Sequence, residues 1–180
     1  MKNNKGLTLI ELIISLVIFA IVMTAAFSFM LAGTHSYEAV TDRLSLNLEA
    51  QLALNQLGDY VLDCNAGLSY SDGTLYVVDY DDDGSGGYTA HVFQYRDGSL
   101  YYGKGSASLD SLGRYTFTVT AVDLLAEHVT AFSVTPVSAD GEHISSAVLS
   151  LEFAKRAAAY SGEKIVALRN KPEISSILAG

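Results

Sequence analysis

The feature that most constrains this chain is an uncharged apolar stretch close to its N-terminus. From Leu12 to Ala32 the sequence contains no charged residue. These 21 residues would form a helix about 31 Å long, which is enough to cross the hydrocarbon core of a bilayer. Lys2 and Lys5 precede the stretch and favour a cytoplasmic N-terminus. The sequence therefore predicts one membrane-spanning helix, with everything after residue 32 on the outer side of the membrane.

A single carboxylate, that of Glu11, lies at the start of this stretch. An ionised carboxylate there costs roughly 3 kcal/mol unless it is neutralised or paired with a cation. If the chain were cut between Gly6 and Leu7, the new α-amine of Leu7 would lie four residues before Glu11, one helical turn away on the same face. We therefore expect Glu11 to pair with such an amine, within one chain or from a neighbouring chain.

The residues from Gly6 to Leu12, Gly-Leu-Thr-Leu-Ile-Glu-Leu, resemble the cleavage and methylation signature of type IV pilins and of the pseudopilins of type II secretion. The family pattern usually has Phe at the position of Leu7. The resemblance implies that a prepilin peptidase cleaves the chain after Gly6 and that Leu7 is then N-methylated. It also implies that Glu11 guides the docking of subunits into a filament.

Two simpler interpretations of this segment compete with that one. A secretory signal peptide also has a basic start and an apolar core, and Thr24-Ala25-Ala26 supplies small residues for a cleavage site. The apolar run is too long for such a peptide, however, and a carboxylate near its start is unfavourable there. A plain membrane anchor leaves the spacing from Gly6 to Glu11 unexplained. The sequence therefore favours the prepilin interpretation.

The remainder of the chain fits one acidic domain outside the membrane. The chain has 180 residues, and those after residue 32 suffice for a single modest core. Without the two leader lysines and Glu11, the 11 basic and 20 acidic residues become 9 and 19, a net charge of −10 that disfavours direct nucleic-acid binding. The single cysteine, Cys64, excludes an internal disulfide and is predicted to be a small buried hydrophobe on a helix.

The helical pattern continues beyond the membrane segment. From Thr8 to about Asp63 the sequence has no proline, which predicts one long helix. One apolar stripe advances in alternating steps of four and three residues: Leu46, Ala50, Ala53, Leu57, Tyr60 and Cys64. A second stripe advances in steps of four: Val40, Leu44, Leu48 and Leu52. Either one stripe carries a sheet while the other meets a partner helix, or both form one wide core face.

After Cys64 the pattern changes from helical to alternating, which predicts strands. Runs rich in Thr, Val and aromatic residues give strands at 68–71, 74–80, 89–96, 99–103, 115–122, 129–137, 144–153 and 164–169. Turns are predicted at Asp72-Gly73, Asp97-Gly98, Asp140-Gly141 and Ser161-Gly162. The predicted fold class is therefore α+β, a long N-terminal helix packed on a C-terminal antiparallel meander, as in pilins.

This pattern divides the chain into four predicted segments. They are a leader (1–6), a membrane and polymerisation helix (7–32), its amphipathic continuation (33–64) and an antiparallel β-sheet domain (65–180).

The C-terminal half adds a resemblance of its own, because Leu124 to Phe132 and Leu168-Arg169-Asn170 are similar to segments of PilW-type minor pilins and of the J-type pseudopilin. Major pilins often have a disulfide-closed loop that one cysteine cannot form, so the resemblance implies a minor subunit.

One loop has the composition of a cation site. Asp79, Asp81 and Asp83, followed by Gly84, reproduce the start of a calcium loop, in which alternate carboxylates converge. The twelfth position is Ala90, where a bidentate Glu is required. The loop is therefore either a weak calcium site at extracellular concentrations or a solvated acidic loop. We favour the solvated loop.

The sequence offers no catalytic constellation, so we expect a filament subunit rather than an enzyme. The four histidines are scattered without metal-ligand spacing. The expected partners are other pilin or pseudopilin subunits, a prepilin peptidase and a membrane assembly platform, with the chain in the cytoplasmic membrane and then in a periplasmic or surface filament. The alternative is a membrane-tethered, calcium-dependent binding module that never polymerises. The sequence does not distinguish whether the filament belongs to a pilus, a secretion system or a DNA-uptake machine, because all three use this signature.

Overall fold

The computed structural model describes residues 8–81, 86–111, 114–138, 141 and 143–172 of the chain. Its contacts divide the chain into two compact units, Met1–Thr41 and Asp42–Gly180. The first unit is described by helix α1 alone, and the described residues of the second combine the end of that helix with nine strands.

Helix α1 spans Leu9–Asp63, which confirms the predicted long helix. Thr8 and Glu11 form a reciprocal cap at its start. Glu11 N–H donates to Thr8 Oγ1 at 3.4 Å, while Thr8 N–H donates to Glu11 Oε2 at 3.4 Å. This arrangement satisfies two backbone donors that an uncapped helix end would leave free.

In the second unit, α1 buries one side and exposes the other. The stripe that alternates steps of four and three lies in the core, where Leu46, Ala50, Ala53 and Leu57 are fully buried. Leu44, Leu48 and Leu52 are exposed on the other side. The two stripes are therefore separate surfaces, which settles the alternative that the sequence left open.

A six-stranded antiparallel sheet packs on the helix. Its strand order is β1-β2-β3-β4-β5, and β6 pairs with the same edge of β4 as β5 does. Leu75, Val77 and Phe93 face the helix and join its core. The strands are β1 Gly67–Ser71, β2 Thr74–Tyr80, β3 Tyr88–Arg96, β4 Ser99–Leu109, β5 Tyr115–Thr118 and β6 Asp123–Ala126.

A three-stranded antiparallel sheet completes the core with the order β7-β8-β9. Leu149, Leu151 and Phe153 of its central strand are fully buried or nearly so. The strands are β7 Val129–Ser138, β8 Ile144–Lys155 and β9 Ala158–Ala167. The α+β fold class is confirmed, but the strands form two sheets where the sequence suggested one continuous meander.

The division into two sheets occurs at β7. Its backbone carbonyl groups at Thr130 and Phe132 accept hydrogen bonds from the hydroxyl groups of Tyr95 and Tyr70. Side chains of the first sheet thus occupy acceptors that another strand would use. The two sheets are joined at this edge through tyrosine hydroxyls, a side-chain contact that no strand pattern reveals.

The predicted turn at Ser161-Gly162 is wrong. Both residues lie inside β9, opposite Glu152 and Leu151 of β8. The chain turns at Arg156, whose φ of 53° supplies the left-handed conformation without a glycine. Gly162 packs against the helix instead, because a Cβ there would lie 2.8 Å from Leu54 Cδ1 and the leucine side chain would have to move.

The predicted strand at 115–122 is interrupted after Thr118. β5 ends at Thr118, and β6 begins at Asp123, beyond the end of the predicted strand. The segment between them passes close to β4 at Gly103 and Gly105. A Cβ at Gly103 would lie 2.3 Å from the backbone oxygen of Thr120. The glycines of β4 therefore make room for this irregular crossing, so the strand cannot continue in regular pairing.

Candidate assembly interface

The N-terminal signature is only partly within the described residues. Gly6 and Leu7, the predicted cleavage and methylation positions, lie outside them. Glu11 is described, and its carboxylate accepts hydrogen bonds from the backbone and hydroxyl groups of Thr8 at 3.4 and 3.3 Å. The carboxylate thus has partners within its own first turn, and the amine expected from Leu7 is not needed to cap this helix.

The helix of the first unit exposes apolar side chains on every face. All residues from Thr8 to Thr41 are exposed, including Phe19, Ile21 and Phe29. The polar side chains of this segment bond to the helix itself, as Thr24 does to Ala20 O and Ser28 to Thr24 O. By length and composition, α1 contains a stretch long and apolar enough to cross a membrane. A surface of this kind requires lipid or other apolar helices around it.

The exposed side of α1 in the second unit continues this apolar character. Leu44, Leu48 and Leu52 are 57%, 61% and 70% exposed, although they lie on a helix whose other side is fully packed. These three residues, spaced by four, form a surface that we call the leucine strip. Three leucines in line on one helix are a suitable contact for a second helix.

Two comparisons with known proteins bear on this architecture. Residues 1–27 match the family model described as the prokaryotic N-terminal methylation motif. The structure is similar to that of the type IV-like pilin TTHA1219 from Thermus thermophilus, with a TM-score of 0.52 and 14% sequence identity. The similarity covers 70% of this chain and 98% of that pilin. No curated protein matches the chain significantly.

The chain has a type IV pilin-like fold. At 14% identity the structural match establishes this fold and nothing finer, while the family model covers the N-terminal segment alone. Together they confirm the resemblance to the type IV pilin and pseudopilin family that the run from Gly6 to Leu12 predicted. The long helix packed on antiparallel sheets is therefore the architecture expected for that resemblance.

We call the segment that contains Asp79, Asp81 and Asp83 the aspartate loop. Asp79 lies in β2, and Asp81 follows the end of that strand. Asp79 Oδ1 accepts the backbone N–H of Asn65 at 3.2 Å, and Asp81 accepts the Thr89 hydroxyl at 2.9 Å. Asp83, the third predicted ligand, lies outside the described residues. No group of three His, Cys, Asp or Glu side chains that could hold a metal occurs within the described ranges. Calcium binding thus stays a prediction.

Burial and neighbouring charges make the Asp79 carboxylate unfavourable in its ionised form. Burial raises its pKa most, and the negative charges of Asp63 and Asp81 raise it further. The hydrogen bond from the backbone of Asn65 acts in the opposite direction. A bound cation would relieve this repulsion, as protonation does.

Next to Asp79, three ring side chains of the pilin-like core form a polar chain that the sequence did not reveal. His91 Nδ1 lies 2.9 Å from the Tyr102 hydroxyl, which donates to the Tyr60 hydroxyl at 3.1 Å. Burial lowers the pKa of His91, the positive charge of Lys104 lowers it further, and Asp81 partly offsets both. The imidazole is therefore neutral near pH 7, and its 3.8 Å approach to Asp79 is not an ion pair.

This polar chain is a structural element of the core. The rings of Tyr60 and Tyr102 are stacked with centroids 5.4 Å apart, and both also pack against Phe93. Burial and the hydrogen-bonded Tyr60 raise the pKa of Tyr102, so its hydroxyl stays protonated. The helical stripe placed Tyr60 on the core face, but the partners from β3 and β4 become visible only once the strands are paired.

The second unit begins at a buried carboxylate, which is the other feature missed by sequence reasoning. Asp42 is buried on α1 and lies 3.6 Å from Lys155 Nζ and 3.3 Å from Arg156 Nη1. The two cations come from the end of β8 and from the turn that follows it. They compensate the charge of Asp42 and attach this turn to the helix.

Proposed function

We propose that this chain is a subunit of a type IV pilus-like filament, with a structural rather than a catalytic role. The observation that carries the proposal is the apolar surface of α1, which is exposed all around in the first unit and continues as the leucine strip. In a membrane this surface contacts lipid, and in a filament it contacts the helices of other subunits. Small residues such as Ala20 and Ala25 allow helices to approach closely.

The proposal includes the processing that the N-terminal motif implies. A prepilin peptidase removes the leader after Gly6, and the new N-terminal residue, Leu7, is methylated. The mature subunit stays in the cytoplasmic membrane, with its N-terminus inside, until a membrane assembly platform draws it into a filament with other pilin or pseudopilin subunits. We further propose a minor, low-copy subunit, since Cys64 is the single cysteine and a disulfide-closed loop is absent.

Intact-mass spectrometry with N-terminal peptide mapping tests the processing. The protein is purified from its native membrane, without a tag at the N-terminus. We expect a mature chain that starts at Leu7 and is heavier by one methyl group. An unprocessed start, or a cut near Ala26, contradicts the filament-subunit proposal and favours a tethered or secreted module.

The docking role of Glu11 is tested by a pair of variants. Glu11→Gln keeps a side chain that accepts the capping hydrogen bonds of Thr8 but removes the charge, whereas Glu11→Ala removes both. We expect both variants to insert and to be cleaved, and both to be depleted from sheared filaments. If Glu11→Gln assembles normally while Glu11→Ala does not, the residue acts through the helix cap and not through its charge.

We also propose that the aspartate loop binds calcium weakly, through Asp79, Asp81 and Asp83. The support is the alternate spacing of the carboxylates and the repulsion that raises the pKa of Asp79. Calcium in this position stabilises the domain and supplies no chemistry of its own.

A further inference from the structure

Lys164 reaches across helix α1 at a glycine. A Cβ atom at Gly58 would lie 2.8 Å from Lys164 Nζ and 3.0 Å from its Cε, so the lysine follows its present path only because residue 58 has no side chain. The ammonium donates to Asn55 Oδ1 at 2.9 Å. Gly58 is buried and Asn55 is exposed. Lys164 therefore carries a positive charge from β9 to the exposed side of the helix.

The ammonium group has no anionic partner there. Within the described ranges, no carboxylate lies within 4.0 Å of Lys164 Nζ, and its acceptor is the neutral amide of Asn55. A lysine whose stem is held against the protein and whose charge lacks a counter-ion is ready to pair with a carboxylate from another chain.

The same side of α1 also presents a carboxylate. Asn55 follows Leu48 by seven residues and Asp59 follows Leu52 by seven, which is close to two helical turns. Asn55 and Asp59 are therefore the polar continuation of the leucine strip. Asp59 is exposed, and no cation within the described part of the chain lies within 4.0 Å of its carboxylate. One surface thus combines three leucines, a positioned cation and an unpaired anion.

We propose that Lys164 and Asp59 are the specificity contacts of the interface between copies of this chain, with Lys164 of one copy paired to Asp59 of the next. The occupant of the leucine strip is a second copy, because the strip carries both members of the charge pair. The inference rests on the proposed filament function. Lys164 and Asp59 lie on the same surface of α1, so two copies that face each other through the leucine strip bring Lys164 of each copy towards Asp59 of the other.

The charge pair fixes the axial register of the two helices, which the leucines alone do not fix. Leucines repeated at every fourth residue offer similar contacts after a slip of one turn, so they fix the axial register of two helices poorly. A single charge pair at one end favours one register and one direction, because other offsets leave both charges without a partner. Lys164 and Asp59 therefore determine how neighbouring copies align, while the leucine strip provides apolar contact area.

A charge exchange in the full-length chain tests the pair. Lys164→Glu and Asp59→Lys are produced singly and together, and their content in sheared filaments from the native host is compared with their content in the membrane. We expect each single change to lower incorporation about tenfold, as for a charge pair broken at an interface. The double variant restores incorporation. If the double variant is as defective as the single ones, the pairing is wrong.

Gly58→Ala tests whether the position of the Lys164 ammonium matters, because this variant moves the charge without removing it. The new Cβ displaces the end of the lysine side chain, which is flexible, and alanine is a better helix former than glycine. We expect thermal unfolding of the detergent-solubilised chain to occur at the same temperature or higher, with incorporation reduced as for Lys164→Glu. Normal incorporation of Gly58→Ala overturns the positioning of Lys164.

Two controls distinguish this inference from the proposed function. Leu48→Asp places a charge in the middle of the leucine strip and abolishes incorporation if the strip is an assembly surface at all. Lys104→Glu changes an exposed lysine of β4 and leaves incorporation unchanged. If Leu48→Asp assembles normally, the proposed assembly surface fails. If Leu48→Asp fails to assemble while Lys164→Glu assembles normally, only the charge pair is refuted.

Discussion

The two apolar stripes on α1 differ in burial although they lie on one helix and consist of similar residues. Leu46 and Leu57 are fully buried against the sheets, whereas Leu48 and Leu52 are more than half exposed. The two stripes lie on nearly opposite sides of the helix, because successive residues are rotated by about 100° around its axis. The sheets cover only the side that carries Leu46 and Leu57.

Hydrophobicity alone therefore does not define the core of this protein. The buried stripe contributes to folding, since its side chains leave water when the sheets pack on them. The exposed stripe gains nothing from folding and is available for association.

Matched truncations on the two stripes give the largest contrast. Leu57→Ala removes a fully buried side chain from the core, and we expect it to lower the free energy of unfolding by about 3 kcal/mol. The Leu52 side chain is 70% exposed, so we expect Leu52→Ala to change the free energy of unfolding by less than about 0.5 kcal/mol. Chemical unfolding of the full chain in detergent, followed by circular dichroism, measures both. Equal losses for the two variants would contradict the division.

The polar chain inside the buried side gives a smaller, pH-dependent effect. Burial lowers the pKa of His91 below its usual 6.5, so the unfolded chain binds this proton more readily than the folded chain. The stability contributed by neutral His91 is therefore complete above about pH 6.5 and declines as the pH falls from there towards the folded pKa. We expect His91→Gln to flatten this part of the unfolding profile, and His35→Gln, on the exposed helix, to leave it unchanged.

Greater stability of the parent chain at lower pH would have a different cause. If the parent chain becomes more stable as the pH falls through this range, His91 gains a carboxylate partner on protonation. Asp79, 3.8 Å away, is the group positioned to provide it. Repeating the profile with Asp79→Asn would then identify the pair.

Calcium is expected to have a small effect, through the aspartate loop and away from both stripes of α1. At a concentration ten times its dissociation constant, calcium stabilises a one-site domain by about 1.4 kcal/mol. We expect a millimolar dissociation constant by titration calorimetry, and no binding after Asp79→Asn combined with Asp81→Asn. Asp72→Asn serves as the control outside the loop. Unchanged thermal unfolding in millimolar calcium would leave the acidic loop as a solubilising segment.

Asp79→Asn, which removes the charge, is also expected to change the stability of the chain in the absence of calcium. Because burial raises the pKa of Asp79, the folded chain holds this proton more readily than the unfolded chain. Its ionisation therefore costs stability as the pH rises above the ordinary value of 3.8. We expect Asp79→Asn to be more stable than the parent chain at neutral pH, with the difference disappearing near pH 3.

Local pattern predicted most of the elements correctly. The absence of proline gave one long helix, and the dipeptides Asp72-Gly73 and Asp97-Gly98 marked hairpins that the structure contains. Both aspartates adopt a positive φ in these turns. The turn at Arg156 was missed because arginine rarely takes that conformation, which is stabilised here by the fold around it.

The polar contacts were not predictable in the same way. His91, Tyr102 and Tyr60 are far apart in the sequence, and so are Asp42 and Arg156. Each contact depends on the register between strands or on the packing of a turn against the helix. A spacing rule has no access to such distances, because the intervening chain can have many lengths and paths.

The membrane-length apolar helix, the N-terminal methylation motif and the alternation of the strands are visible in the sequence, because they depend on residues close together in the chain. Tertiary structure alone decided which stripe of α1 is buried, where the strands divide into two sheets, and that Lys164 meets Asn55 across Gly58. The physical reason is that burial and long-range contacts belong to surfaces brought together by folding. A stripe becomes core only when a sheet covers it, and it otherwise remains available to another chain.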